Sequence, residues 1–405
     1  MKTIKDLVGL KGKRVVVRVD FNVPLKDGEI RDDNRIVQAL PTIVDLTKQG
    51  AKVILLSHLG KVDHKDPAKT ESDKKKNSLE KVAVRLSELL KSSVSFCPDT
   101  RGEMFDYFTQ TLENGSVLLI QNTRYEKGEE KNDPQLSAIW ASVADVFVMD
   151  AFGSAHRAHA STHGIPSILK AQGKQVAIGY LVEKEVNALT RVVKVKEEDR
   201  PYIAILGGFK VSDKIKVIDT LVKKCDKILI GGAMAYTFSK ALGNDIGDSP
   251  FEADQLEYAK RVYLEADGKI VLPSDCIVTD GFDVWTKIIT TENNQIPSGF
   301  MGMDIGPKTA QQYQNELAKA KMIFWNGPMG VFEKEPFTKG TIAICEAVAN
   351  LGKKTFSVCG GGDSAAAIKQ FGYISAFSHV STGGGASLEM IENDGHLPGI
   401  DIIED

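Results

Sequence analysis

Residues 355–371 read TFSVCGGGDSAAAIKQF: an apolar, β-leaning run, then three glycines, an aspartate and a serine, then a helix-forming run. That order predicts a strand, a tight loop and the start of a helix. Successive glycines let backbone N–H groups approach a ligand without interference from Cβ atoms, and the unpaired amides of a helix N-terminus suit a phosphate. Gly360, Gly361 and Gly362 therefore read as a phosphate cradle. Asp363 in the first helical turn would repel a polyphosphate unless a cation stood between them. Mg²⁺ fits, being a hard ion that shares one or two carboxylates with substrate phosphates. On this stretch alone, a helix cap and a plain turn explain Asp363, Ser364 and the glycines equally well.

The spacing Gly360-x-Gly362-x-x-Ala365 also fits a dinucleotide fingerprint, which needs an acidic residue about 20 positions on, at the end of the next strand. The next apolar run, 376–381, ends in Ser381-Thr382-Gly383 without an acid. A mononucleotide phosphate with a metal is preferred to NAD, and the chain has no G-x-x-x-x-G-K-[ST] motif.

Similar junctions flank this one. In 202–214, YIAILGGFKVSDK, a strand runs into two glycines and then a helix start carrying Lys210 and Lys214, four apart and so on one helical face. Cations are disfavoured in a first turn, and a bound polyphosphate would reverse that cost. Residues 380–386, VSTGGGA, form the third junction; 227–232 and 322–333 end strands in glycine turns that can wall a nucleotide pocket, with Glu333 placed to reach ribose hydroxyls. An ordinary turn is the plainer reading of each.

The first half has the same rhythm with basic residues at the strand ends. The run 14–19 leads into Asp20-Phe21-Asn22, 52–56 into Ser57-His58-Leu59-Gly60-Lys61, 117–121 into Asn122-Thr123-Arg124, and 145–149 into a stretch holding His156, Arg157 and His159. Open α/β sheets bind ligands at the C-terminal ends of their strands. Arg35, His58, Lys61, Arg124 and Arg157, with Arg18 as a further candidate, suit a small, multiply charged anion. The lysine-rich stretch 61–77 has no apolar period and reads as a solvated loop.

At 405 residues, two domains are expected. The boundary falls near 196–200, after a breaker-free helical run. A net charge of −3 argues against a general nucleic-acid binder. Five scattered cysteines without CxxC spacing indicate neither a disulfide framework nor zinc. No apolar leader and no run of the roughly 18 residues that a membrane span needs is found, so a cytoplasmic protein without membrane contact is expected.

Seven motifs, in order and over essentially the whole chain, resemble the phosphoglycerate kinase family: RVDFNVP (18–24), SHLG (57–60), DAFGSAHRAHAS (150–161), GGFKVSDKI (207–215), WNGPMGVFE (325–333), GGGDSAAA (360–367) and STGGGASLE (381–389). The resemblance implies two similar-sized three-layer α/β/α domains with mainly parallel, doubly wound sheets: 1–180, a linking hinge helix 181–196, and 197–390, with about 391–405 returning to the first. It implies reversible, Mg²⁺-dependent phosphoryl transfer between 1,3-bisphosphoglycerate and ADP by a monomer. Asp20, Asn22, Arg35, His58, Lys61, Arg124 and Arg157 would hold 3-phosphoglycerate. Lys210, Lys214, Gly302, Glu333, Gly361, Gly362, Asp363 and Ser364 would hold the nucleotide, with Asp363 on the metal. Lys210 and Arg35 would flank the transferring group. The chain departs from the family pattern at Phe209, where a small residue is usual, at Lys61 in place of arginine, and at Gln121 in place of glutamate. Bulk at Phe209 would narrow the phosphate path or re-aim Lys210.

Overall fold

A computed structural model describes residues 1–404. The chain forms two compact units, Met1–Asn187 together with the chain from His396 on, and Ala188–Gly395. The division falls within the helix Tyr180–Val193.

The first unit is built on a six-stranded parallel sheet in the order Val94–Cys97, Val117–Ile120, Lys52–Leu56, Arg14–Val19, Val146–Asp150, Gln175–Ile178. Its central strands are buried along almost their whole length. Helices cover both faces of such a sheet, so near-continuous Val, Ile and Leu runs replace the polar–apolar alternation of a one-sided sheet. The first strand lies mid-sheet, its neighbours running off in opposite directions, and Val19 pairs with Asp150 at the open end. At the far end of the chain, Gly399 N–H donates to the Ala155 carbonyl at 2.8 Å.

The second unit's main sheet runs Ile270–Val271, Lys227–Ile230, Tyr202–Leu206, Met322–Asn326, Phe356–Cys359, His379–Val380, all parallel. In chain order this is 3-2-1-4-5-6, the doubly wound arrangement, whose strand order reverses between Tyr202–Leu206 and Met322–Asn326. Ligands bind beyond the strand ends at such a reversal. The core there packs Ile203, Ile205, Trp325, Cys359 and Ile368. A small antiparallel sheet, Ile288–Thr290, Cys276–Thr279 and Met301–Ile305, stands beside it. Among the described residues, no helix is long and apolar enough to cross a membrane.

Two local expectations fail. Within 61–77, Pro67–Lys76 is a helix. Asp66 caps it by accepting from Ala68 N–H at 3.0 Å, Pro67 opens it, and Lys74, Lys75 and Lys76 fill its last turn, where cations suit the dipole. It buries no side chain, so an apolar period could not have revealed it. In the second unit, the helix after Gly207-Gly208 starts only at Ile215, preceded by a 3₁₀ turn Ser212–Lys214. Lys210 therefore stands in a loop, and Lys214 is the N-cap rather than its partner on a helical face.

Candidate functional site

In the first unit, the strand ends converge on a basic cluster. Arg18, on the central strand, is buried; its guanidinium donates to Ser161 Oγ at 2.7 Å, to the Val19 carbonyl, and to His58 Nδ1 at 3.0 Å. Arginine has no acceptor, so His58 Nδ1 receives and the ring proton sits on Nε2. Burial pushes the His58 pKa well below its ordinary value, and the charges of Arg18, Arg124, Arg35 and neighbouring His159 push the same way. His159 falls to about 4, through burial first and then Arg18. Burial first, and crowded guanidiniums second, keep both imidazoles neutral in a cluster rich in positive charge. That excess is what a bound polyanion balances.

Arg35 donates to the Asp20 carboxylate. Asn22 Oδ1 accepts from Gly60 N–H at 2.8 Å, and Arg124 Nη1 donates to the Gly60 carbonyl at 2.6 Å, so Gly60 is gripped from both sides. Arg124 also pairs with Glu130 at 3.3 Å, and its Nε is buried without a partner. Arg157 is exposed, its Nε donating to His156 Nε2 at 3.1 Å. Lys61 is exposed and, among the described residues, stands outside this hydrogen-bonded set. Gln121 faces away from ligand work: its Oε1 accepts from the Leu79 and Asn122 amides and its Nε2 donates to Ser78 Oγ at 3.0 Å, fastening the chain ahead of a helix. Glu129 was not singled out in the sequence. It is buried and accepts from Ser161 N–H at 2.9 Å; burial lowers the Arg18 pKa, and the charges of Glu129 and then Asp20 oppose that fall.

In the second unit, three glycine turns meet at the strand-order reversal. A Cβ on Gly207 would lie 2.1 Å from the Pro328 carbonyl oxygen, one on Gly232 2.5 Å from the Gly208 amide nitrogen, and one on Gly327 2.3 Å from the Gly207 carbonyl oxygen. Backbone packs on backbone there, and a floor without side chains results. Above it are two adjoining cavities. One, of about 260 Å³, is walled by Tyr236, Pro250, Phe282, Met301 and Val331, with Gly302 and Glu333 also at its edge. The other, of about 290 Å³, is lined by Lys210, Lys214, Gly361, Gly362, Asp363 and Ser364. Gly208, Phe209 and Asp363 border both, so an apolar base-sized slot opens directly onto a phosphate-sized cradle.

Gly361 (φ +99°) precedes the helix Gly362–Gln370, with Asp363 in its first turn. Ser364 is buried; its Oγ accepts from Gly327 N–H at 2.6 Å and donates to the Gly360 carbonyl at 3.1 Å, joining two glycine loops. Asn326 Nδ2 donates to Gly360 O at 2.7 Å, while its Oδ1 is buried without a partner. Burial lowers the Lys214 pKa, and Asp213 and Asp363 pull it back. Phe209 is 61% exposed, at the rim rather than across the cradle. Gly302 is explained by contact: a Cβ there would lie 1.9 Å from Tyr236 Oη. Its spacing carries no motif, and only the fold shows why it must be glycine. No cluster of three or more metal-ligating side chains exists among the described residues. One carboxylate beside a cradle of amides and lysines fits a cation completed by phosphate oxygens and water, not one caged by protein.

A sequence model of the phosphoglycerate kinase family matches residues 4–394. Phosphoglycerate kinases of Enterococcus faecalis and Listeria monocytogenes are each 52% identical to this chain over 408 residues, covering 100% of it and 99% of the relative. That of Latilactobacillus sakei is 49% identical over 411 residues, at the same coverage. The solved structure of phosphoglycerate kinase from Coxiella burnetii is similar with a TM-score of 0.87 at 38% identity, spanning 99% of this chain and 98% of that one. The Pyrococcus horikoshii structure gives 0.84 at 33%, spanning 100% and 98%. With strand order, glycine loops and basic cluster all consistent with that likeness, the chain belongs to the phosphoglycerate kinase family.

Proposed function

We propose that the protein catalyses reversible transfer of a phosphoryl group between 1,3-bisphosphoglycerate and ADP, giving 3-phosphoglycerate and ATP, as a glycolytic kinase. The carrying observation is the apolar slot that opens onto a cradle holding Lys210, Lys214 and Asp363 at a strand-order reversal. In the ATP-consuming direction, a carboxylate oxygen of 3-phosphoglycerate attacks the terminal phosphorus. The bond to the bridging oxygen breaks, and ADP leaves with that electron pair. Phosphoryl transfer asks for in-line positioning and neutralised oxygens rather than a covalent enzyme intermediate.

Asp20, Asn22, Arg35, His58, Lys61, Arg124 and Arg157 hold 3-phosphoglycerate in this reading, with neutral His58 offering its Nε2–H. Gly302 and Glu333 border the base and ribose; Lys214 and the amides of Gly361, Gly362, Asp363 and Ser364 take the phosphates. Lys210 and Arg35 neutralise the equatorial oxygens. Asp363 would hold Mg²⁺, which when bound adds positive charge to the phosphates. Direct transfer requires acceptor and phosphorus to meet out of water, and the hinge closure implied by the family likeness meets that need. The 3-phosphoglycerate site is assigned to the first unit and the nucleotide site to the second, in a monomer that acts in the cytoplasm on small molecules alone.

The test is steady-state turnover with Mg–ATP and 3-phosphoglycerate, beside a metal-free control and Phe209→Ala. Metal-dependent turnover by the natural chain supports the reading. Nucleotide binding without turnover, restored in Phe209→Ala, would instead make this a binding member of the family with an obstructed phosphate path.

A further inference from the structure

Lys210 lies in a loop, and Lys214 closes a short 3₁₀ turn at the N-cap of the following helix, so neither stands within an α-helix or a strand. What fixes them comes from a distant segment. The Glu252 carboxylate accepts from Val211 N–H at 2.6 Å and Ser212 N–H at 3.2 Å, and also from Ser212 Oγ. Val211 in turn accepts from Lys214 N–H at 2.9 Å. One side chain thus satisfies amides that would otherwise open a helix without partners, and it does so between the two lysines.

The other end of the segment belongs to the apolar cavity. Glu252 N–H donates to Thr237 Oγ1 at 3.1 Å, next to the cavity-lining Tyr236. Pro250 is itself a wall. Ser249 Oγ accepts from Gly302 N–H at 2.9 Å, and Gly302, in contact with Tyr236, also lines the slot. Residues 249–252 therefore join the lining of the slot to the lysine loop within four positions.

We propose that Glu252 is a positioning residue for Lys210 and Lys214, and that through residues 249–252 the walls of the base slot set where the two lysines stand. This rests on the assignment of those lysines to the nucleotide phosphates.

Glu252→Ala and Glu252→Gln test this by two independent readouts on the full-length enzyme. Amide hydrogen exchange should quicken in 209–214 of the alanine variant and stay unchanged elsewhere in the second unit. In steady state, kcat should fall at least tenfold while KM for 3-phosphoglycerate stays within twofold. Glu252→Gln keeps an acceptor oxygen and should recover most of the loss. Wild-type exchange at 211–212 in Glu252→Ala, or kcat within twofold, overturns the proposal; exchange that rises throughout the unit overturns it too, since Glu252 would then be a general structural support. Should Glu252→Ala not fold, Thr237→Val releases the same segment from its other end, and must shift exchange at 211–212 in the same direction. If the natural chain shows no turnover, the reaction assignment fails, and the exchange measurement alone decides the brace.

Discussion

Replacing Gly302 by alanine puts one methyl group against Tyr236. The new carbon would lie 1.9 Å from Oη, 2.1 Å from Cζ and 2.6 Å from Cε1, where about 3.0 Å is the practical limit of approach. The phenol must therefore retreat by at least about 1.1 Å. It has two ways to go. On one side it packs with Ile246, Cys276, Val278 and Ile296; on the other is the 260 Å³ slot. Overpacking of this kind costs about 1–3 kcal/mol. If the ring yields into the slot, that cost appears on nucleotide binding, a roughly 5- to 150-fold rise in KM for Mg–ATP, with KM for 3-phosphoglycerate unchanged. If it yields into the core, Tm drops by about 2–4 °C for each kcal/mol instead. Initial-rate kinetics with each substrate varied, beside a thermal melt, separates the two. A variant with wild-type nucleotide KM and wild-type Tm would refute the claim that Gly302 is required by contact with Tyr236.

Lys210→Ala should lower kcat by roughly 10²–10³, as expected for loss of one preorganised charge donor; turnover near that of the natural chain would remove Lys210 from the mechanism. Glu129→Ala leaves the buried Ser161 N–H without its acceptor and removes a negative charge near Arg18, and should destabilise the protein by about 1–3 kcal/mol, read as a shifted denaturant midpoint; an unchanged midpoint would remove Glu129 from the support of this cluster. Asp304 is buried, accepts from the Ile305 and Gly340 amides, and is pushed up by burial to about 7. Its native pKa is above the unfolded value, so the stability it contributes is full below about pH 4 and is lost as pH rises through about 7. Wild-type Tm should accordingly fall relative to Asp304→Asn between pH 5 and 8, and parallel profiles would show that Asp304 does not titrate there.

The parallel α/β architecture was legible because buried strands leave unbroken apolar runs and their ends leave glycines and polar residues, as at 355–364 and 14–22. The clustering of basic residues in the first unit was legible for a related reason: such residues recur at the ends of successive strands, as at 18, 58 and 124, and parallel strands bring those ends together. Residues that act on other protein groups left no such trace. Glu252 sits 40 positions from Ser212, and Glu129 32 from Ser161, at spacings no periodicity records. The helix Pro67–Lys76 escaped because it has no apolar face, and the late start of the helix at Ile215 because a remote carboxylate decides it.

The floor made by Gly207, Gly232 and Gly327 bears on how this site can change over generations. Each of the three positions admits one amino acid, because any Cβ would enter neighbouring backbone, which cannot rotate aside as a side chain can. The rim is not closed off by backbone in this way: Phe209 and Phe282 are exposed, at 61% and 49%. Divergence within this architecture is thereby channelled to the rim, where the side chain beside the lysine loop can vary while the glycine floor beneath the cavities stays fixed.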